Sequence, residues 1–140
     1  MTSLSTVKKI AIEHSLSERE KAKLLPKHTT KVGASIYTTD DTCYGGFNIQ
    51  NPSHKSYHAE ETALICCYLS SVKPESIIGI VVSFSNNDIS ALTFCCGHCR
   101  QMLWEYTHNP DLLITEVNAS TGEIIKEVTL GELYPYPYPK

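Results

Sequence analysis

No apolar run in the 140 residues approaches the roughly 18 needed to cross a membrane, so no transmembrane segment is expected. Met1 to Lys9 lacks the apolar h-region of a secretory signal. A basic stripe is also missing. Twelve Lys and Arg against 15 Asp and Glu give a net charge of −3, with the signs intermixed, which argues against a polyanionic nucleic-acid partner. There is no internal repeat and no linker, so residues 1–140 read as one domain, long enough to bury a full core. Cysteine is present six times, too sparse for a small disulfide scaffold. Reduced thiols and a cytoplasmic location are the expectation.

What is present is concentrated in two short segments. His58-Ala59-Glu60 is followed, 36 positions after Glu60, by Cys96-Gly97-His98-Cys99. Zinc accepts imidazole nitrogen and thiolate sulfur, and a catalytic site supplies three protein ligands while leaving a fourth position to water. His58, Cys96 and Cys99 provide three such ligands for one zinc per chain. Glu60, two residues beyond the histidine, is placed to reach that water without binding the metal. A C-x-x-C alone equally suits a structural zinc knuckle or an incidental pair. Joined to H-x-E it becomes a zinc deaminase signature. His98 between the cysteines offers an alternative fourth ligand, which would make the zinc structural.

Taken in order, Ser3 to Leu25 reads as a helix stopped by Pro26, with Val7, Ile10, Ala11 and Leu16 on one face. Strands are expected over Lys31–Thr39 and Cys43–Ile49, with Gly45-Gly46 marking a bulge or a close backbone approach. Asn51–Lys55 reads as a polar loop. A second helix spans His58–Ser71, and Ile77–Phe84 is a strand buried on both faces. Ser85–Thr93 is a loop, a third helix opens at Cys96 and runs to about Tyr106, and two further strands cover Leu112–Val117 and Glu123–Val128. The order α-β-β-α-β-α-β-β predicts an α/β protein of three layers, α/β/α, around one mixed five-stranded sheet. Both metal-binding segments then open helices beside each other at one edge of that sheet.

These residues resemble the cytidine deaminase family, specifically its small homotetrameric branch, over nearly the whole chain. Val32-Gly33-Ala34 is similar to the family's V-G-A-A strand, and Gly46-Phe47-Asn48-Ile49-Gln50-Asn51 to its G-x-N-x-E-N. His58-Ala59-Glu60 matches C/H-A-E, Cys96 to Gln101 matches C-G-x-C-R-Q, and Glu132 to Tyr136 resembles E-L-L-P-Y. The resemblance implies zinc on His58, Cys96 and Cys99, with Glu60 carrying protons. It implies hydrolytic deamination of cytidine or deoxycytidine to the uracil nucleoside and ammonia, as in pyrimidine salvage. Asn48 and Gln50 would bind the sugar hydroxyl, and the backbone N–H of Ala59 the pyrimidine carbonyl. Tyr138 would cover the base bound by a neighbouring subunit. The expected partner is a small-molecule nucleoside, with neither nucleic acid nor membrane, in a homotetramer or a homodimer.

The chain departs from the family pattern at four places. Cys95 stands for the usual proline, Thr30 for a phenylalanine that stacks on cytosine, and Gln50 for glutamate, and the segment from Asn48 to His58 is one residue shorter. Histidine as first ligand with two thiolates leaves Zn²⁺ formally neutral, so the arginine that follows the glutamate in three-cysteine members is not needed, and Glu61 takes its place. The changes at Thr30 and Gln50 keep a second substrate class open, a cytosine nucleoside antibiotic such as blasticidin S. A non-enzymatic zinc-stabilised module is the contrasting class. The closing Tyr-Pro alternation reads as an ordered interface segment, with a polyproline ligand as the alternative.

Overall fold

The structure, a computed structural model, describes residues 3–84 and 95–140. The loop expected at Ser85–Thr93 lies outside the described residues. Among the described residues, no helix is long and apolar enough to cross a membrane.

Five strands form one mixed sheet: β1 (Gly33–Thr38), β2 (Cys43–Phe47), β5 (Ile77–Phe84), β6 (Leu113–Asn118) and β7 (Ile124–Thr129), in the order β2-β1-β5-β6-β7. Only the β5–β6 pair is parallel. It is joined through α3 (Gly97–Thr107), as a parallel crossover requires. Successive side chains of a strand face opposite ways. Ala34, Ile36, Ile80, Val82 and Ile114 therefore pack on α2 (Ala59–Leu69) and α3. Tyr37, Val81 and Val117 pack on α1 (Leu4–Arg19). This is the expected three-layer arrangement, and β5, apolar but for Ser83, is its buried centre.

Three boundaries differ from the sequence reading, and one interaction explains two of them. The first helix ends at Arg19 rather than Leu25. Residues of good helix propensity follow, but their backbone is used elsewhere. The Lys23 N–H donates to the Asn48 carbonyl at 3.0 Å, and its carbonyl accepts from the Gln50 N–H at 2.7 Å. The second strand stops at Phe47 for the same reason. The Asn48 carboxamide accepts from the Val32 N–H and donates to the Thr30 carbonyl, both at 2.9 Å, pulling the chain off the main sheet. Ile49–Gln50 (β3) then pairs with Ser56–Tyr57 (β4), a short strand not expected from the sequence, and Asn51–Lys55 is the turn between them. A short α4 (Leu130–Leu133) leads into the tail. Thr129 caps it, its Oγ1 accepting from the Glu132 N–H at 3.2 Å.

Candidate metal centre and adjoining cleft

His58 and Cys96 are the N-cap residues of α2 and α3. Each has extended backbone, and each gives its carbonyl to the first intrahelical bond, His58 to the Thr62 N–H and Cys96 to the Arg100 N–H. Their side chains are thus held at the mouths of two helices on the same sheet face. Cys99, one turn into α3, is fully buried beneath them.

The three ligand atoms converge. His58 Nδ1 lies 3.3 Å from Cys96 Sγ and 3.4 Å from Cys99 Sγ, and all three lie within 4.8 Å of one another. Tetrahedral zinc with its usual bond lengths sets an N···S separation of about 3.6 Å, so the donor set fits that ion. The electrostatics agree. Burial pushes the Cys99 thiol well above its ordinary range, as do the neighbouring Glu60 carboxyl and the Cys96 thiol. A buried sulfur of this kind ionises only beside a cation.

Glu60 is buried and bonds the Cys99 thiol, and burial lifts its carboxyl pKa above the ordinary value, as expected from the sequence. His98 does not join the converging donors. Its Nε2 meets Glu61 Oε2 at 3.2 Å, and its ring stands edge-on to that of His58. Glu61 also caps α2, its Oε1 accepting the His58 N–H at 3.1 Å. The residue in the family's arginine position thus fixes the backbone of one ligand residue and draws His98 aside. The third thiol, Cys95, is buried in the core, and burial pushes it up to about 12.

A cleft of about 360 Å³ opens beside these residues. It lies where β1 begins and β5 and β6 end, reached by Val32, Val82, Phe84 and Glu116. Ligand sites in open α/β sheets favour the carboxyl ends of parallel strands. Ala59, Asn48 and Gln50 line it with Thr30, so the structure brings these sequence-selected residues to one wall. Tyr138 is not among them. The tail lies on its own α3, where Gln101 Nε2 donates to the Tyr138 carbonyl at 2.5 Å and Trp104 Nε1 to the Pro139 carbonyl at 2.6 Å. The Tyr138 side chain remains 77% exposed.

Sequence reasoning missed Tyr57, Phe84 and Glu116 in the cleft. Tyr57 and Phe84 supply the aromatic surface that Thr30 lacks. The available signal was position alone, since Tyr57 directly precedes His58 and Phe84 closes the apolar run of β5.

Comparison with known proteins agrees with this geometry. Residues 5–112 match the family model for the cytidine and deoxycytidylate deaminase zinc-binding region. The crystal structure of cytidine deaminase from Burkholderia pseudomallei has a TM-score of 0.78 at 28% identity, covering 99% of this chain and 100% of that one. Cytidine deaminase from Mycobacterium tuberculosis shares the fold, with a TM-score of 0.71 at 21% identity over 95% of this chain and 98% of that one. Cytidine deaminase 6 of Arabidopsis thaliana is 33% identical over 113 residues, 79% of this chain. The match spans only 36% of that longer relative.

Proposed function

The chain belongs to the family of cytidine and deoxycytidylate deaminases that carry this zinc-binding region, and on that premise we propose that it hydrolyses the exocyclic amine of a cytosine nucleoside. Cytidine and deoxycytidine are the reference substrates, and the products are uridine or deoxyuridine and ammonia. The observation that carries this reading is the convergence of His58, Cys96 and Cys99 beside a buried carboxyl group at the wall of a nucleoside-sized cleft.

His58, Cys96 and Cys99 would hold the zinc, Cys99 with a buried thiol. When bound, zinc brings the pKa of water from ~15.7 towards about 7. Glu60 accepts the proton of the attacking water and delivers it to ring N3 as C4 is attacked. It then takes the second proton, from the new C4 hydroxyl, and passes it to the departing amine, so that ammonia leaves as the C4 carbonyl forms. A carboxyl whose pKa burial has raised suits a group that must both take and give a proton near neutrality. The N–H of Ala59, at the start of α2, has no intrahelical partner and meets the pyrimidine carbonyl. Tyr57 and Phe84 flank the ring.

The test is elemental analysis combined with a substrate panel of cytidine, deoxycytidine, cytosine, dCMP and blasticidin S. The expected result is one zinc per chain and ammonia release from at least one nucleoside of the panel. A zinc-loaded protein that deaminates none would refute the reading and favour a zinc-stabilised module.

The same reading extends to assembly. The outer face of α2 leaves Ile65, Tyr68 and Leu69 exposed, Leu69 at 82%, and the tail leaves Tyr136 and Tyr138 exposed. A cleft open to solvent and apolar side chains left in water both favour closure by neighbouring copies. A homotetramer is the assembly we propose, with the α2 face as a contact, since the protein's own tail already occupies part of α3. Sedimentation velocity at assay concentration should show the oligomer, and a fully active monomer would refute it.

A further inference from the structure

The wall of the cleft that meets the sugar is built from two carboxamides whose orientation is dictated by fixed backbone groups. Asn48 Oδ1 accepts from the Val32 N–H and Asn48 Nδ2 donates to the Thr30 carbonyl, both at 2.9 Å. Gln50 Oε1 accepts from the Leu25 N–H at 3.0 Å. A backbone N–H can face only the oxygen end of an amide, so neither side chain can flip without stranding a partner. What remains for a ligand is therefore uneven. Asn48 keeps one N–H and Gln50 keeps two, while each oxygen keeps only its second lone pair. The untethered end of Gln50 is its nitrogen.

A further cation stands at the same rim. Lys55, in the turn between β3 and β4, holds its ammonium 5.2 Å from the centroid of the Tyr57 ring, and that ring lines the cleft. Among the described residues the cleft has two carboxyl groups, both buried, Glu60 on α2 and Glu116 on β6 in register with Val82, so they belong to its metal and sheet sides.

We infer that the sugar end of this cleft is rich in donors and selects a cytosine nucleoside whose sugar carries an acceptor oxygen, above all a carboxylate. The inference rests on the deaminase reading and narrows its substrate class. A ribose hydroxyl is most strongly held where it can donate to a carboxylate, because a charge-assisted hydrogen bond is about twice as strong as a neutral one. With glutamine at position 50 the described residues at this end of the cleft offer that hydroxyl no carboxylate. It offers N–H groups and a nearby ammonium, which match a sugar carboxylate.

The discriminating experiment compares cytidine with cytosine glucuronide, a cytosine nucleoside whose sugar is a uronic acid, in wild type and Gln50→Glu. The substitution keeps an acceptor for the Leu25 N–H, so the fold is retained, which a melting curve checks. The expected result is that Gln50→Glu lowers kcat/KM for the uronate at least tenfold and raises it for cytidine severalfold. Should that variant melt out, Lys55→Ala, on an exposed turn, is expected to move the same ratio at least threefold towards cytidine, through KM and not kcat. Cytidine turnover with an unmoved ratio overturns this inference alone. Turnover of neither nucleoside by the zinc-loaded wild type, with another member of the panel deaminated, also overturns this inference alone; turnover of nothing in the panel overturns the deaminase reading and this inference with it.

Discussion

Glu60→Gln should abolish turnover while leaving the protein folded and metal-loaded. The side chain is 5% exposed, so it sits in a space already shaped to it, and glutamine has nearly the same volume. The amide nitrogen can donate to the Cys99 sulfur, a thiolate once the metal is bound, which limits the cost to packing. The amide cannot exchange a proton, and the reaction asks one group to move two of them, from water to N3 and from the C4 hydroxyl to the leaving amine. General acid–base catalysis by a single positioned group is worth about 10²–10⁴-fold, and here that group serves both halves of the reaction. The expected loss in kcat is therefore at the upper end of that range. Zinc should remain at one per chain, because Glu60 is not among the three converging donors. If Glu60→Gln kept more than about a tenth of wild-type kcat, Glu60 would not be the proton carrier.

The metal centre was legible in the sequence because its ligands are locally encoded. Two helix starts each bring their first residues to a fixed place, and the residue types name the metal. The central strand was legible for a similar reason, since Ile77 to Phe84 is apolar but for Ser83. The first helix was over-extended because Glu20 to Leu25 has good local helix propensity. The competing claim on its backbone comes from Asn48 and Gln50, 25 residues or more along the chain. The same long-range bonds hid β3 and β4. They also changed what Asn48 and Gln50 present. From sequence both faced one hydroxyl as an amide pair, but only the structure shows that backbone N–H groups already engage both oxygens. Tyr138 was assigned by motif to a neighbouring subunit's site, and within its own chain its backbone carbonyl is held by Gln101 of α3 while its side chain stays exposed.

Gly46→Ala should disable the enzyme without replacing any residue of the cleft. Gly46, on β2, is where the start of α2 lies against the sheet. A methyl group there would stand 2.3 Å from both the Ala59 carbonyl oxygen and the Ala63 nitrogen, and 2.5 Å from Thr62 Oγ1. Two of those atoms are helix backbone, so no rotamer change relieves the clash, and α2 must retreat by about 1 Å to reach ordinary contact. Thr62 opposes the retreat. It accepts from the Phe47 N–H and donates to the Phe47 carbonyl, both at 2.9 Å, clamping the helix to β2. Overpacking of this kind costs about 1–3 kcal/mol, and more where backbone must move. For a chain of this size that is a fall in melting temperature of roughly 5–10 °C. The catalytic consequence is larger, because α2 carries His58, Ala59 and Glu60 at its first turn. A misplacement of about 1 Å in a catalytic group can cost about 10²-fold in rate, which is the loss in kcat/KM expected here. Gly97→Ala is the matched control. It lies beside Cys96 at the start of α3, yet a methyl group there meets nothing within 4 Å. Alanine also favours the helix by about 1 kcal/mol at interior positions, and less at this first one. Melting curves and steady-state kinetics on the two variants decide the matter. Should Gly46→Ala melt within about 2 °C of wild type and retain half its kcat/KM, the close seating of α2 on β2 would not be what positions the metal centre.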